Sequence, residues 1–188
     1  MKGPGRRLIT TVLLAALCAA FLYQIGLLGM VVWFNFRNPS NTPVMQDTLN
    51  ALRAEDPRAR LAHEWVPYER ISPNLKRAVI ASEDSGFVDH DGVEWDAIRK
   101  AWSYNQRQAD LGRSRRRGGS TITQQLAKNL FLSNSRNYLR KGQELILTYM
   151  IEAVMSKRRI LELYLNVAQW GAATFGAQAA ARHYFRTD

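Results

Sequence analysis

Apolar residues run almost unbroken from Leu8 to Phe34, LITTVLLAALCAAFLYQIGLLGMVVWF, with Gln24 as the strongly polar exception. A hydrocarbon core about 30 Å thick needs about 20 such residues in a helix, so residues 8–34 are expected to form a transmembrane anchor. Lys2, Arg6 and Arg7 precede the run and Arg37 follows it. The positive-inside rule then puts the basic tail 1–7 in the cytoplasm and the bulk of the chain outside. A cleaved secretory signal competes with this reading, but the run exceeds a signal core and no persuasive small-x-small site follows it. Lipid attachment at Cys18 is weaker, because Leu17 stands where a small residue would be wanted. The next segment, NFRNPSNTPVMQD at 35–47, is rich in Asn, Pro, Ser and Thr and reads as a linker.

From residue 48 onward the apolar positions take a helical period. Ser72-Pro73 supplies a cap and a first-turn proline for a helix through Lys76, Ala78, Val79 and Ile80. Asp91 to Asp96 lead into a second helix with Ile98, Ala101 and Trp102 on one face. RQADLGRSRRRG at 107–118 breaks the pattern with its arginines and glycines and is expected to be a mobile loop. Ser120 is the expected cap of a third helix, with Ile122, Leu126 and Leu130 at helical spacing. Leu139, Ile146, Tyr149, Met150 and Ala153 mark a long fourth helix, and Ile160, Leu161, Tyr164 and Leu165 a fifth. Strand signals are few, so the part outside the anchor should be mainly α-helical.

Composition narrows the function. The 188 residues with 46% hydrophobic content allow one core of roughly 150 residues beyond the anchor. A net charge of +10 points to a polyanionic partner: nucleic acid, lipid head groups or a phosphorylated substrate. The single cysteine, Cys18, lies in the anchor and excludes an intramolecular disulfide framework or a cysteine-based zinc site.

Four segments then stand out: ASEDSGFVDHDG at 81–92, RGGSTITQQLAKN at 117–129, RKGQE at 140–144 and KRRILELYLN at 157–166. Glu83 and Asp84 fall at the end of the Ser72-capped helix, where the dipole and partial burial against Phe87 would raise a carboxylate's pKa toward that of a general base. A solvated acidic turn is the plainer alternative. Asp89-His90-Asp91-Gly92 fails as a calcium loop, because Val93 and Lys100 occupy ligand positions; His90 reads as a structural hydrogen-bonder. Arg117-Gly118-Gly119-Ser120 leads into a helix start and could cradle an anion, although the lysine of a P-loop is absent. Gln124 and Lys128 share a face of that helix, which would suit a pyrophosphate, or be an ordinary polar face. Arg140, Lys141 and Glu144 read first as a surface ion pair, and Lys157-Arg158-Arg159 as solvated charge.

Taken together, the series ED..F..H.G from Glu83 to Gly92, GGSTITQQ from Gly118 to Gln125 with Lys128 and Asn129, RK..E from Arg140 to Glu144, and K..ILE.YLN from Lys157 to Asn166 resembles the motif set of the peptidoglycan glycosyltransferases. With one N-terminal anchor and no second catalytic domain, the chain is most similar to their monofunctional biosynthetic branch. The resemblance implies a lysozyme-like, mainly α fold that polymerises lipid II outside the bacterial cytoplasmic (inner) membrane, on the periplasmic side. It implies Glu83 as general base toward the acceptor 4-hydroxyl, with inversion at the donor anomeric carbon and release of undecaprenyl pyrophosphate. Glu144 is implied as a second essential carboxylate, with magnesium or manganese as candidate metals. Ser120, Gln124, Gln125, Lys128, Asn129, Arg136, Arg140 and Arg117 are implied to hold substrate, and Asp84, Phe87, His90, Gly92, Gly118, Gly119 and Asn166 to shape the motifs. The implied partners are lipid II, the growing lipid-linked strand, the membrane and other cell-wall or division proteins, with no nucleic acid. Family members continue past the position of Asp188, so the domain 48–188 reads as C-terminally truncated. The alternatives are a lysozyme-like peptidoglycan hydrolase, which would need no pyrophosphate-facing set, and a membrane-anchored nucleic-acid-binding protein using the arginines at 107, 113, 115, 116 and 117.

Overall fold

The computed structural model describes residues 4–133 and 138–187. Its helices are α1 (Pro4–Phe36), α2 (Pro43–Glu55), α3 (Pro73–Glu83), α4 (Trp95–Asp110), α5 (Ile122–Phe131), α6 (Tyr138–Val154), α7 (Lys157–Val167) and the short α8 (Ala177–Ala180). Two short strands, β1 (Ala62–His63) and β2 (Thr174–Phe175), pair in parallel with Ala62 opposite Thr174. Nothing in the alternation of residues foretold that pair.

α5 is the hub. Ile122, Leu126, Ala127 and Leu130 are buried along it, and it packs against α2, α6 and α7. Ile160, Leu161, Leu163 and Leu165 of α7 and Leu147 and Ile151 of α6 complete a core that also takes in Val44, Met45 and Phe87. At roughly 1.5 to 3 kcal/mol for each fully buried aliphatic side chain, this cluster is the main support of the fold. Asn166 ties its far end: the side chain accepts from the Val66 N–H at 2.8 Å and donates to the Val66 carbonyl at 2.9 Å, as a paired strand would.

α1 is a continuous helix, with a 30-residue stretch, Arg7–Phe36, long and apolar enough to cross a membrane. Its last turns belong to the folded domain. Leu27 and Val31 are buried, Phe34 meets the Phe131 ring at 5.8 Å between centroids, and Gln24 and Gln143 exchange a reciprocal pair of amide hydrogen bonds at 2.8 and 3.0 Å.

Several expectations need correction. Helix α2 begins inside the expected linker, because Thr42 caps it, Pro43 opens it, and Val44 and Met45 enter the core. Helix α4 persists through Asp110, so the irregular segment starts later than residue 107. Trp102 is exposed while its neighbour Ala101 packs inward. Arg159 is tied down rather than solvated: its guanidinium donates to the Phe34 carbonyl at 2.8 and 3.1 Å and to Glu162 at 2.7 Å.

Candidate active site

The N-terminus of α5 organises the site, and the capping residue is Thr121, not Ser120. Thr121 Oγ1 accepts from the Gln124 N–H at 3.2 Å, while Gln124 Oε1 accepts from the Thr121 N–H at 3.0 Å. The reciprocal box was legible as T-x-x-Q, but the adjacent serine drew the reading. Gln124 is therefore buried and occupied at the helix start.

The positive end of α5 is already filled by a carboxylate of the chain itself. Asp84, 5% exposed, accepts from the Ile122 N–H at 3.0 Å through Oδ2 and from His90 Nε2 at 2.8 Å through Oδ1. His90 Nδ1 accepts from the Gly92 N–H at 3.0 Å, which fixes the tautomer with its proton on Nε2. The helix-start cradle expected for a substrate anion is thus used to join the segment 81–92 to 117–129. Gly92, at φ +86, lets the chain pass where a Cβ would lie 2.7 Å from Glu152 Cγ. Its carbonyl accepts from Thr121 Oγ1 at 2.6 Å.

Lys157 brings in the fourth segment. Its ammonium donates to the His90 carbonyl at 2.6 Å and to Glu152 Oε1 at 2.9 Å, and lies 4.8 Å from the centre of the buried Phe87 ring. Glu152 also accepts from Thr123 Oγ1 at 2.6 Å. Sequence reasoning missed Glu152, because one more acid on a helix gives no signal until its partners are placed.

Glu83, the last residue of α3, is exposed and does not share the burial of Phe87. It lies in a cleft of about 590 Å³ with Arg117, Gly118, Gly119 and Ser120. Gly119 packs closely on α4 there: a Cβ would lie 3.1 Å from Ile98 Cα and Ala101 Cβ, so α4 would have to give by a few tenths of an ångström. The Arg117 backbone is pinned to Asn105 of α4, its N–H donating at 2.8 Å and its carbonyl accepting at 3.0 Å. One Glu83 oxygen accepts from Gln125 Nε2 at 2.9 Å, and Gln125 Oε1 accepts from the Tyr164 hydroxyl at 3.0 Å. The sequence placed Tyr164 only among the apolar positions that mark the fifth helix.

Gln125 and Ser120 also line a second cavity, of about 280 Å³, with Gln124, Lys128, Arg140, Lys141 and Glu144. Glu144 is 3% exposed, so the expected surface pair is an inward-facing cluster: Arg140 donates to it at 2.9 Å, and Lys141 pairs with its other oxygen. Lys141 also donates to Ser120 Oγ at 3.3 Å. Burial lowers the pKa of Lys128; Glu144 opposes the shift, and Arg140 and Lys141 add to it. Three cations around one buried carboxylate leave net positive charge for an anion. Asn129 is buried on α5, and Arg136 lies outside the described residues.

Neither acidic group offers a ready metal site. Among the described residues, Asp84, His90 and Glu94 bring ligand atoms within 4.8 Å of one another, but both Asp84 oxygens are engaged as above. Both Glu144 oxygens face cationic side chains, which a divalent ion would have to displace.

The family model described as Transglycosylase matches residues 49–188. The chain is 65% identical to the biosynthetic peptidoglycan transglycosylase of Bordetella pertussis, over 97% of its own length and 75% of that protein's. It is 53% identical to the protein of the same name from Aromatoleum aromaticum, over 99% of this chain and 77% of the relative, and 50% identical to that from Herminiimonas arsenicoxydans, over 97% and 78%. With its helical, lysozyme-like domain and its four motif segments joined around α5, the chain belongs to the transglycosylase family, glycosyltransferases of peptidoglycan synthesis.

Proposed function

We propose that the chain polymerises lipid II by inverting transfer, with Glu83 as general base and the cluster on α5 and α6 receiving the pyrophosphate of the lipid-linked donor. The observation that supports this is that Ser120 and Gln125 line both cavities: an accessible carboxylate lies on one side and a cation-rich pocket on the other. Glu83 removes the proton from the acceptor sugar's 4-hydroxyl as that oxygen attacks the donor anomeric carbon. The bond to undecaprenyl pyrophosphate breaks from the opposite face, which inverts the configuration. Negative charge grows on the leaving oxygen, and Lys128, Arg140 and Lys141 offset it electrostatically. Glu144 holds two of those cations in place, and no step runs through a metal. A hydrolase acting on a neutral glycosidic bond would gain nothing from this pocket. In this reading α1 is a membrane anchor, with the N-terminus in the cytoplasm and the domain in the periplasm.

The test is Glu83→Gln in the full chain reconstituted with labelled lipid II. Polymer formation should fall by about 10² to 10⁴, the usual contribution of a general base, while lipid II binding persists. Polymerisation at near wild-type rate would overturn the assignment.

A further inference from the structure

We propose that Tyr164 is a positioning residue for the reaction, acting on Glu83 through the Gln125 amide. The proposal rests on the reading of Glu83 as the base, and it starts from a difficulty in that reading. Glu83 is exposed at a helix end, so its carboxylate has rotamer freedom that a base acting on one hydroxyl must give up. The observed restraint is the Nε2–H of Gln125 on Glu83 Oε2 at 2.9 Å.

An amide restrains a carboxylate only in one orientation. Turned by 180°, Gln125 would set its carbonyl oxygen against the Glu83 oxygen, acceptor facing acceptor. Tyr164 selects between the two: its hydroxyl lies 3.0 Å from Gln125 Oε1 and donates to it, which turns the NH₂ toward Glu83. This works only while the phenol keeps its proton. Burial, and then the nearby negative charge of Glu83, push the Tyr164 pKa up, so the hydroxyl remains a donor throughout the range in which the base is active. The ring is 6% exposed in α7 beside Leu163 and Leu165, a rigid mount for a hydroxyl that reaches the cleft only through Gln125. Among the described residues, Glu83 Oε1 has no hydrogen-bond partner, which leaves it for the acceptor proton.

The test uses the full chain in lipid nanodiscs, comparing wild type, Tyr164→Phe, Gln125→Ala and the double variant on lipid II. Tyr164→Phe should lower kcat roughly two- to tenfold, the weight of one neutral hydrogen bond, while KM stays within about twofold because the base contributes in the transition state and not to binding. In the Gln125→Ala background, Tyr164→Phe should change nothing further, because the path is already cut. An unchanged kcat, or the same fold loss in both backgrounds, would overturn the proposal; the second result is what a purely structural tyrosine gives. A readout independent of turnover is hydrogen exchange of the Gln125 side-chain NH₂, assigned by its absence in Gln125→Ala. It should speed up several-fold in Tyr164→Phe, on the order of the loss of one protecting hydrogen bond, and unchanged exchange refutes the relay. Wild-type protein that leaves lipid II unpolymerised, or Glu83→Gln at full rate, would refute the reading of the base, while the exchange experiment still decides the relay.

Discussion

Asp84→Ala should destabilise this protein more than any surface substitution, because Asp84 caps α5 from another segment. Removing the carboxylate leaves the Ile122 N–H and His90 Nε2 without their acceptor in a buried setting, and strips the positive end of α5 of its negative charge. Two charge-assisted hydrogen bonds at about 1.5 to 3 kcal/mol each give an expected loss of roughly 3 to 6 kcal/mol. For a domain of this size that lowers the melting midpoint by roughly 10 °C. Asp84→Asn keeps the shape and an acceptor for Ile122 but sets its NH₂ against the Nε2–H of His90, which the Gly92 N–H holds in that tautomer, so it should lose one of the two bonds, about 1.5 to 3 kcal/mol, and cost less than Ala. The assay is thermal unfolding of the full chain in detergent micelles, followed by near-ultraviolet circular dichroism. A midpoint for the Ala variant within about 2 °C of wild type, or equal shifts for Ala and Asn, would refute the capping argument.

Lys128→Ala should weaken binding of the lipid pyrophosphate by about 1.5 to 3 kcal/mol, and Arg115→Ala, in the exposed segment after α4, by well under about 1; titration calorimetry that ranks them the other way would misplace the pocket. The lowered pKa of Lys128 adds a sign: the charged form binds the anion, so affinity should fall as pH rises through that lowered value, earlier than for an ordinary lysine. Lys128→Arg should move the fall to higher pH. Gln143→Leu strands the Gln24 amide, whereas Gln24→Leu with Gln143→Leu should recover stability, with a coupling of roughly 0.6 to 1.7 kcal/mol in a melting cycle; zero coupling would mean the pair contributes nothing.

The helices were legible where local signals decide them. Ser72-Pro73 opened α3 as expected, and the spacings of Ile122, Leu126 and Leu130 and of Ile160, Leu161 and Leu165 gave the buried faces of α5 and α7. What stayed hidden was set by distant partners. No spacing rule says that a carboxylate at the end of α3 will sit on the first turn of α5, yet that contact decides that the helix start is not a free anion site. The β1–β2 pair is too short for alternation to register. Lys157 and Arg159 look like surface charge on any helical projection, and become internal ties only because the His90 and Phe34 carbonyls need donors.

The length of α1 acquires a meaning once its last turns are placed. A hydrocarbon core needs about 20 helical residues, and the apolar stretch Arg7–Phe36 has 30. The surplus of about ten residues, roughly 15 Å of helix, is not loose stalk. It holds Leu27, Val31 and Phe34 against the domain, and Arg159 pins its end. If the core begins at Leu8, its outer edge falls near Leu27, one turn past Gln24. In the proposed membrane placement the Gln24–Gln143 pair would set the start of α6 at the level where hydrocarbon gives way to head groups. Arg140, Lys141 and Glu144 lie within one turn of Gln143 on that helix. The pyrophosphate of the proposed lipid-linked donor would reside at the same depth. The cationic pocket would meet it there with the lipid tail still in the bilayer, which spares the reaction the large cost of drawing a long hydrocarbon chain into water.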